Sequence, residues 1–316
     1  MKLSLVAPCY NEEENVKEFC ACVKECFAGK IDDYEIVFVN DGSRDKTLER
    51  LRELTKLESP AIQVVSFSRN FGKESAIYAG LTRARGDMVC VIDADLQQRP
   101  ETVLEMVEIL DTCPETDCVC AFQQKRKESK LLSGLKSMFY KIINKLSDVN
   151  FVNGASDFRL MRRSMVNAVL SMTEYHRFSK GIFSWVGFNT KFIPYEAAER
   201  QHGSTKWSPL KLFKYAMEGI IAFSTAPLKF VTFLGFLSTF ISFVYMIITV
   251  IQKLCFSIDV PGYASIIVLL LFMSGMILFC LGIIGEYLAK MYVQLKNRPI
   301  YIEKEYLENE KKSKDE

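Results

Sequence analysis

The sequence has few histidines, and this scarcity limits the metal sites that it can form. Only His176 and His202 occur in 316 residues, although there are ten cysteines. A Cys/His zinc site needs several such ligands at close spacing, so a zinc site is disfavoured. The cysteines fall at positions typical of a core: Cys20 and Cys26 in a helical pattern, and Cys90 in an apolar run. Free, buried cysteines in a reducing compartment are therefore expected, rather than a disulfide framework.

Glycine-rich phosphate-binding loops are also missing. No G-x-G-x-x-G follows the first apolar run, Leu3–Ala7, and no G-x-x-x-x-G-K-[ST] occurs in the chain. Because these loops mark dinucleotide-binding and P-loop enzymes, both classes are disfavoured. The net charge is only +2, so the sequence lacks the basic excess that is typical of nucleic-acid-binding proteins.

Charge is absent from two long apolar stretches, Phe230–Gln252 and Val260–Gly285. Each is longer than the ~20 residues that span a bilayer core, which predicts two transmembrane helices. The segment between them carries one lysine, Lys253, and one acid, Asp259, whereas the outer flanks are basic. The basic flanking residues are Lys206, Lys211, Lys214, Lys229, Lys290, Lys296 and Arg298. The positive-inside rule then predicts a multi-pass protein of the cell (inner or plasma) membrane with both termini in the cytoplasm.

Strand and helix patterns alternate in the N-terminal half of the chain. Short apolar runs predict strands at Leu3–Ala7, Glu35–Asn40, Ile62–Phe67, Val89–Ile92 and Cys118–Phe122. Amphipathic helical patterns separate these runs. This alternation predicts an α/β domain with a mostly parallel, Rossmann-like sheet and right-handed crossovers.

Acidic side chains follow the predicted strands. Asp93 and Asp95 come directly after the fourth strand, and Glu12 and Asp41 follow the first and second. Ligands of open α/β sheets bind at the carboxyl ends of the strands. Alternation along an extended chain lets Asp93 and Asp95 face the same side, where they suit Mg²⁺ or Mn²⁺ completed by substrate phosphates. The same tripeptide pattern also occurs in solvated turns without a metal.

Further polar stretches precede the first apolar span. Asp157 and Arg159 lie in a glycine-bearing segment, and Arg200–Lys206 is rich in donors that suit an anion. Ser208 and Pro209 then provide an N-cap and a first-turn proline for an amphipathic helix, which we expect to lie in the membrane interface. A basic amphipathic helix is also predicted within 125–145. It either rests on an anionic membrane surface or covers the sheet.

An ordered set of motifs resembles the family 2 glycosyltransferases of the GT-A fold. Within that family the likeness is to the polyprenyl-phosphate glycosyltransferases, which include bactoprenol glucosyltransferases and dolichyl-phosphate mannose synthase. The motifs are Ala7–Glu12, Asn40–Ser43, Ser68–Lys73, Asp93–Gln97, Asp157–Arg159, Gly285–Tyr287 and Arg298–Tyr301. The pair Gln98-Arg99 departs from the family, whose members more often have a small or acidic residue followed by proline.

The resemblance implies an inverting, membrane-bound hexosyltransferase that uses Mg²⁺ or Mn²⁺. The hexose would pass from a nucleotide sugar, with UDP-glucose favoured, to undecaprenyl phosphate. The residues implied to bind the donor nucleotide are Pro8, Tyr10, Glu12, Asp41 and Asp93. Asp95 and Asp93 would bind the metal, and Asp157 and Asp95 would be catalytic. The residues implied to bind the acceptor phosphate are Arg200, Ser204 and Lys206.

The chemistry of the acceptor limits the role of Asp157. The second pKa of a phosphate monoester is about 6, so the acceptor arrives largely ionised and needs little proton abstraction. Asp157 is therefore expected to orient the acceptor or to stabilise an oxocarbenium-like anomeric centre. A role as a base is the alternative that the family resemblance leaves open.

The sequence predicts four regions along the chain. Residues 1–207 are predicted to form a cytoplasmic GT-A catalytic domain, 208–227 the interface helix, 228–285 the two spans and 286–316 a cytoplasmic tail. Glycines in the second span allow a homo-oligomer or close packing within the hairpin. Other donors, such as GDP-mannose or a UDP-amino sugar, and a non-catalytic membrane scaffold of the same fold remain alternatives. A processive polysaccharide synthase is disfavoured because the chain lacks a Q-x-x-R-W motif after Gln201.

Overall fold

The computed structural model describes residues 2–57, 59–123, 144, 155–196, 224–256 and 262–309. The strands are β1 (Leu3–Cys9), β2 (Tyr34–Asn40), β3 (Ala61–Phe67), β4 (Met88–Val91), β5 (Cys118–Gln123), β6 (Ala155–Arg162), β7 (Thr190–Tyr195) and β8 (Glu303–Glu308). The helices are α1 (Asn15–Phe27), α2 (Thr47–Leu54), α3 (Lys73–Arg83), α4 (Pro100–Thr112), α5 (Arg163–Ser171), α6 (Ser179–Trp185), α7 (Ala226–Phe256) and α8 (Tyr263–Leu295).

Three predicted segments lie outside the described residues. They are the basic helix within 125–145, apart from residue 144, the loop that carries Arg200, Ser204 and Lys206, and the interface helix at 208–227 up to residue 223.

All eight strands form one sheet in the order β7-β5-β6-β4-β1-β2-β3-β8. The central strands β4, β1, β2 and β3 are parallel, and β7 is parallel to β5. Strand β6 runs antiparallel to both β4 and β5, and β8 runs antiparallel to β3. The five strands predicted from the sequence are confirmed, as is the mostly parallel α/β sheet.

Helices cover both faces of the sheet, so the central strands are apolar on both sides. Along β2, Ile36 and Phe38 pack with α1, α2 and α4, whereas Val37 and Val39 pack with α3, α5 and α6. All four side chains are fully buried. Burial on both faces is why these strands appear in the sequence as continuous apolar runs rather than as alternating ones.

The two apolar stretches form the long helices α7 and α8. Both contain a segment long and apolar enough to cross a membrane, Ala226–Thr249 and Ile266–Leu295, with mean hydropathies of 2.1 and 2.9. Neither segment is buried inside the protein. A helix this apolar with its surface outward needs an apolar environment, which agrees with the predicted spans.

The chain beyond α8 returns to the sheet, which the sequence analysis did not predict. Strand β8 pairs along β3 and forms the edge of the sheet. Its acidic side chains meet arginines of α2, α3 and the turn after α3: Arg52 with Glu305, Arg83 with Glu303, and Arg85 with Glu308. Tyr301 stacks on Phe67 with ring centroids 4.8 Å apart. The tail is therefore built into the α/β domain.

Candidate active site

The register of the sheet brings Asp93 and Asp157 together. In the antiparallel pair of β4 and β6, Val91 lies opposite Arg159. Two residues further along each segment, in opposite chain directions, stand Asp93 and Asp157. The sequence analysis placed Asp157 in a polar loop, whereas the structure places it in β6, and this pairing is the reason that it lies beside the acids of β4.

Lys73 joins these two carboxylates. Its ammonium nitrogen lies 2.6 Å from Asp93 Oδ1 and 3.4 Å from Asp157 Oδ2. Burial favours the neutral amine, but the two carboxylates outweigh it and raise the pKa of Lys73, so the side chain is a cation at neutral pH. The sequence analysis quoted Lys73 within a family motif but gave it no role. Its position after a glycine at a helix start was the available signal.

Asp41 fixes the loop that presents Lys73. Its carboxylate accepts hydrogen bonds from the backbone N–H groups of Phe71 (2.6 Å) and Gly72 (3.0 Å), immediately before α3. Gly42, at φ +62°, is required beside it, because a Cβ there would lie 2.3 Å from the backbone of Arg69. Burial raises the pKa of Asp41, and the two N–H donors oppose that shift. Both carboxylate oxygens of Asp41 are thus engaged, and its role in nucleotide binding stays a prediction.

Gln98 holds Asp93 in place. The Gln98 side-chain oxygen accepts the Asp93 N–H at 2.8 Å, and the Gln98 amide nitrogen donates to Asp93 Oδ2 at 3.1 Å. Gln98 is only 5% exposed, whereas the Asp93 side chain is 26% exposed. Gln98 therefore clamps one of the two strand-end acids. The other acid, Asp95, accepts the backbone N–H of Gln97 at 3.2 Å.

Asp157 is an ionised carboxylate at neutral pH. Burial would raise its pKa, but the positive charges of Lys73, Lys180 and Arg159 hold that pKa below its usual value. Its Oδ1 atom is buried without a hydrogen-bond partner among the described residues. A carboxylate with a lowered pKa is a weak base, so the electrostatics favour orientation or charge stabilisation over proton abstraction.

Arg159, a buried residue of β6, adds a positive charge near Asp157. It is 4% exposed, its guanidinium lies 3.8 Å from the ring centroid of Phe183, and it donates to the carbonyl of Ser156 at 2.8 Å. These contacts hold the guanidinium against the protein. Arg159 therefore acts on Asp157 as a fixed positive charge.

Glu74 is a second acid of the cluster that the sequence analysis missed. Burial and the charge of Asp157 raise the pKa of Glu74 to about 7. Its carboxylate accepts hydrogen bonds from the backbone N–H of Ser179, at 2.8 Å, and from the Ser179 hydroxyl. Because Ser179 begins α6, this contact ties the start of α3 to the helix whose Phe183 supports Arg159.

The predicted nucleotide-binding residues lie along the same edge of the sheet. Pro8 is in β1, and Tyr10 and Glu12 follow it. Tyr10 is 42% exposed, so its ring is available to a planar ligand. Glu12 is held by Asn15, whose amide donates to Glu12 Oε2 at 2.6 Å.

The strand-end acids fit a divalent cation that a substrate completes. No group of three or more His, Cys, Asp or Glu side chains suited to a metal occurs within the part of the chain that the structure describes. Mg²⁺ typically takes one or two carboxylates together with substrate phosphates and water. Asp93 and Asp95 offer carboxylate oxygens at the carboxyl end of β4; Lys73 and Gln98 contact the two oxygens of Asp93, and metal binding by this pair stays a prediction.

The chain matches two families over separate segments. Residues 4–170 match the family described as Glycosyl transferase family 2, and residues 226–291 match the GtrB C-terminal hairpin. The first match covers the α/β domain from β1 into α5. The second covers α7, the connection and most of α8.

Relatives share this organisation over nearly their whole length. The SfII prophage-derived bactoprenol glucosyl transferase of Shigella flexneri is 41% identical over 303 residues, which is 96% of this chain and 97% of that protein. The uncharacterized glycosyltransferase sll0501 of Synechocystis is 41% identical over 304 residues, 96% of this chain and 94% of that protein.

A solved structure is similar at lower identity. Glucosyl-3-phosphoglycerate synthase from Mycobacterium tuberculosis, in complex with Mn²⁺, UDP-glucose and phosphoglyceric acid, has a TM-score of 0.46 and 19% identity. The similarity covers 70% of this chain and 77% of that one. A likeness at this level supports no assignment of metal or substrate. The family match and the near full-length relatives do decide the classification: the chain belongs to glycosyltransferase family 2 and is a glycosyltransferase with a GtrB-type C-terminal hairpin.

Proposed function

We propose that the protein transfers glucose from UDP-glucose to a polyprenyl phosphate, undecaprenyl phosphate in particular, with inversion at the anomeric carbon. One observation carries the proposal: a cluster of strand-end acids and a GtrB-type hairpin occur in the same chain. Relatives that share both segments at 40–41% identity have names that specify a bactoprenol glucosyl transferase. The name gives both the sugar and the lipid acceptor.

The donor is proposed to bind at the carboxyl edge of the sheet. Pro8, Tyr10, Glu12 and Asp41 would surround the nucleoside, with the exposed ring of Tyr10 available to the base. Asp93 would approach the ribose and diphosphate. Asp93 and Asp95 would hold Mg²⁺ or Mn²⁺ against the diphosphate. When bound, this cation offsets the charge that develops on the departing nucleoside diphosphate.

The acceptor supplies its own nucleophile. Its phosphate is largely ionised at neutral pH, so no strong base is required. Asp157, ionised and beside Asp93, is proposed to orient the acceptor or to stabilise positive charge at the anomeric carbon. Attack opposite to the departing diphosphate converts an α-linked donor into a β-linked lipid phosphate.

Membrane insertion places the acceptor within reach. We propose that α7 and α8 cross the membrane and that the α/β domain and both termini lie in the cytoplasm, where nucleotide sugars are made. The proposed regions are the catalytic domain at 1–207, the interface helix at 208–227, the spans at 228–285 and the tail at 286–316. Arg200, Ser204 and Lys206, between the domain and the first span, are proposed to bind the acceptor phosphate. A homo-oligomer is compatible with glycines Gly275 and Gly282 of α8.

Transfer of radiolabel into lipid tests the proposal. Membranes that contain the protein are incubated with undecaprenyl phosphate, Mg²⁺ and labelled UDP-glucose, and parallel reactions use GDP-mannose and UDP-N-acetylglucosamine. We expect organic-extractable label from UDP-glucose only, and none with Asp95→Asn. Label from another donor would refute the sugar assignment. No lipid label from any donor, with folded protein in the membrane, would refute polyprenyl-phosphate transfer.

A further inference from the structure

A pocket borders Lys73 at the start of α3. It has a volume of about 230 Å³ and is lined by three segments: residues 71–75 at the start of α3, residues 175–177 in the loop before α6, and Ile300 beyond α8. Phe71, Tyr175 and Ile300 contribute apolar surface, but Lys73, Glu74, His176 and Arg177 also line the pocket and make its surface more polar than apolar. We name it the span-side pocket because two of its three walls are tied to the second apolar helix.

The contacts that tie the pocket to α8 are direct. The N–H of Tyr175 donates to the side-chain oxygen of Gln294 at 2.8 Å, and the Gln294 amide donates to the carbonyl of Thr173 at 3.4 Å. Gln294 stands at the end of the candidate span Ile266–Leu295, and Ile300 follows a few residues later. A lipid substrate whose chain lies in the membrane would therefore meet this pocket as it approaches the acids.

Lys73 connects the pocket with the catalytic cluster. Its side chain is 44% exposed and belongs to the pocket lining, while its ammonium contacts Asp93 and Asp157. Two guanidinium groups lie nearby: Arg159 lies over Phe183, and Arg177, which also lines the pocket, donates to the carbonyls of Met172 and Val169. Lys73 thus combines exposure to the pocket with a position at the acids.

The proposed reaction brings several anionic groups together where the acceptor phosphate would bind, so a cation is needed there. The acceptor phosphate carries close to two negative charges at neutral pH. It must approach ionised Asp157 and the diphosphate of the donor, which are also anionic. Without a compensating cation, this approach brings like charges together in a partly buried site, which is costly.

From these observations we infer that Lys73 binds the phosphate of the lipid acceptor, and that the span-side pocket holds the part of the chain next to that phosphate. This inference rests on the proposed function. A volume of about 230 Å³ is nearly eight times the ~30 Å³ that a water molecule occupies in the liquid. It is large enough for a phosphate and the carbon atoms next to it, and the cationic side chains in its lining suit the phosphate.

The test of Lys73 separates acceptor binding from donor binding in the full-length protein. Lys73→Met removes the charge and keeps the stem, and Lys180→Met is the matched control because Lys180 also acts on Asp157 but lies outside the pocket lining. Initial transfer rates are measured against undecaprenyl phosphate concentration, and UDP-glucose binding with Mg²⁺ is measured by calorimetry. We expect Lys73→Met to lower kcat/KM for the acceptor roughly tenfold to hundredfold, as for one lost charge-assisted hydrogen bond, with donor Kd unchanged within about twofold.

The pocket itself is tested by filling it. Ile300→Trp is expected to raise the KM for undecaprenyl phosphate, with less effect on a short-chain, water-soluble prenyl phosphate. Ile302→Trp, two residues away at a side chain 51% exposed, serves as its control and is expected to behave as the wild type. Thermal melting of each variant confirms folding, and Lys73→Arg, which keeps the charge, is expected to retain more acceptor affinity than Lys73→Met.

Several outcomes would overturn the inference. Equal losses of donor and acceptor affinity in Lys73→Met would assign the lysine to the donor, and an unchanged acceptor KM with reduced kcat would leave it only a positioning role at Asp157. Equal acceptor KM in Ile300→Trp and Ile302→Trp would remove the pocket from the acceptor path. If the wild type itself puts no label into lipid, the proposed function fails. If the wild type is active and Lys73→Met matches it, only this inference fails.

Discussion

Replacing Gln98 by alanine removes the two hydrogen bonds between Gln98 and Asp93 and leaves the contact of Asp93 with Lys73. The Asp93 N–H loses its acceptor in a partly buried position; a fully buried donor left without a partner costs about 1–3 kcal/mol. The bond from the Gln98 amide to Asp93 Oδ2 involves a charged group, but the Asp93 side chain is 26% exposed and water can replace part of it. We expect a loss of roughly 1–3 kcal/mol in the free energy of unfolding.

Activity should fall as well, because the Asp93 carboxylate keeps only its Lys73 contact and is less well oriented at the proposed metal site. An increase of about 1.4 kcal/mol in the activation free energy lowers the rate tenfold. Gln98→Ala is therefore expected to lower kcat/KM for UDP-glucose about tenfold or more and to raise the Mg²⁺ concentration needed for half-maximal rate, with the acceptor KM unchanged. The assay is lipid-phase radiolabel with each reactant titrated in turn. Arg99→Ala is the control because Arg99 is exposed and adjacent. Equal Mg²⁺ dependence in Gln98→Ala and Arg99→Ala would refute the claim that Gln98 orients Asp93 for metal binding.

Three further predictions concern the tail, the pH dependence of stability and the acid of β6. The Asn309 side chain is buried and makes three hydrogen bonds with the backbone of Leu57, Pro60 and Ile62. Asn309→Ala should therefore lower the free energy of unfolding by roughly 2 kcal/mol in thermal melts, whereas Lys304→Ala, at an exposed position, should leave it unchanged. The pKa of Glu74 is raised to about 7, so the folded state binds this proton more tightly than the unfolded state and stability falls as pH rises from about 4.5 to about 7. Glu74→Gln should therefore make Tm depend less on pH over this range, and an unchanged slope of Tm against pH would contradict the argument. Asp157→Asn should reduce turnover about a hundredfold or more without weakening UDP-glucose binding in calorimetry; full turnover would exclude its proposed role.

The centre of the sheet could be predicted because its strands are buried on both faces. The apolar runs at Val37 and Val89, for example, need no knowledge of their partners to indicate a parallel strand. The acids at strand ends could be predicted for the same reason, since Asp93 ends an otherwise apolar run. The helices α7 and α8 follow from uninterrupted hydropathy alone.

The strands β6 and β8 could not be predicted in this way. Strand β6 contains the charged residues Asp157, Arg159 and Arg162. They contact Lys73, Phe183 and the carbonyl of Thr116 respectively, all distant in sequence. A local pattern does not contain those partners. Strand β8 is an edge strand whose glutamates pair with arginines, so its composition resembles a solvated tail.

The missed site residues share one cause. Lys73, Glu74 and Gln98 are polar residues at helix starts or in turns, where a solvated side chain is the usual expectation. Their importance comes from long-range contacts: Lys73 with Asp157, and Glu74 with Ser179. Only the tertiary structure reveals these contacts, although Gln98 was marked in the sequence as a departure from the family pattern.

The structure of the lipid product tests the central claim most directly. The purified protein is incubated with UDP-[¹³C]glucose, Mg²⁺ and a short polyprenyl phosphate, and the product is examined by mass spectrometry and by NMR of the anomeric carbon. We predict a glucose joined to the lipid through a phosphodiester in the β configuration, and none from Asp95→Asn. An α-linked product, or free glucose beside unmodified lipid phosphate, would contradict the account.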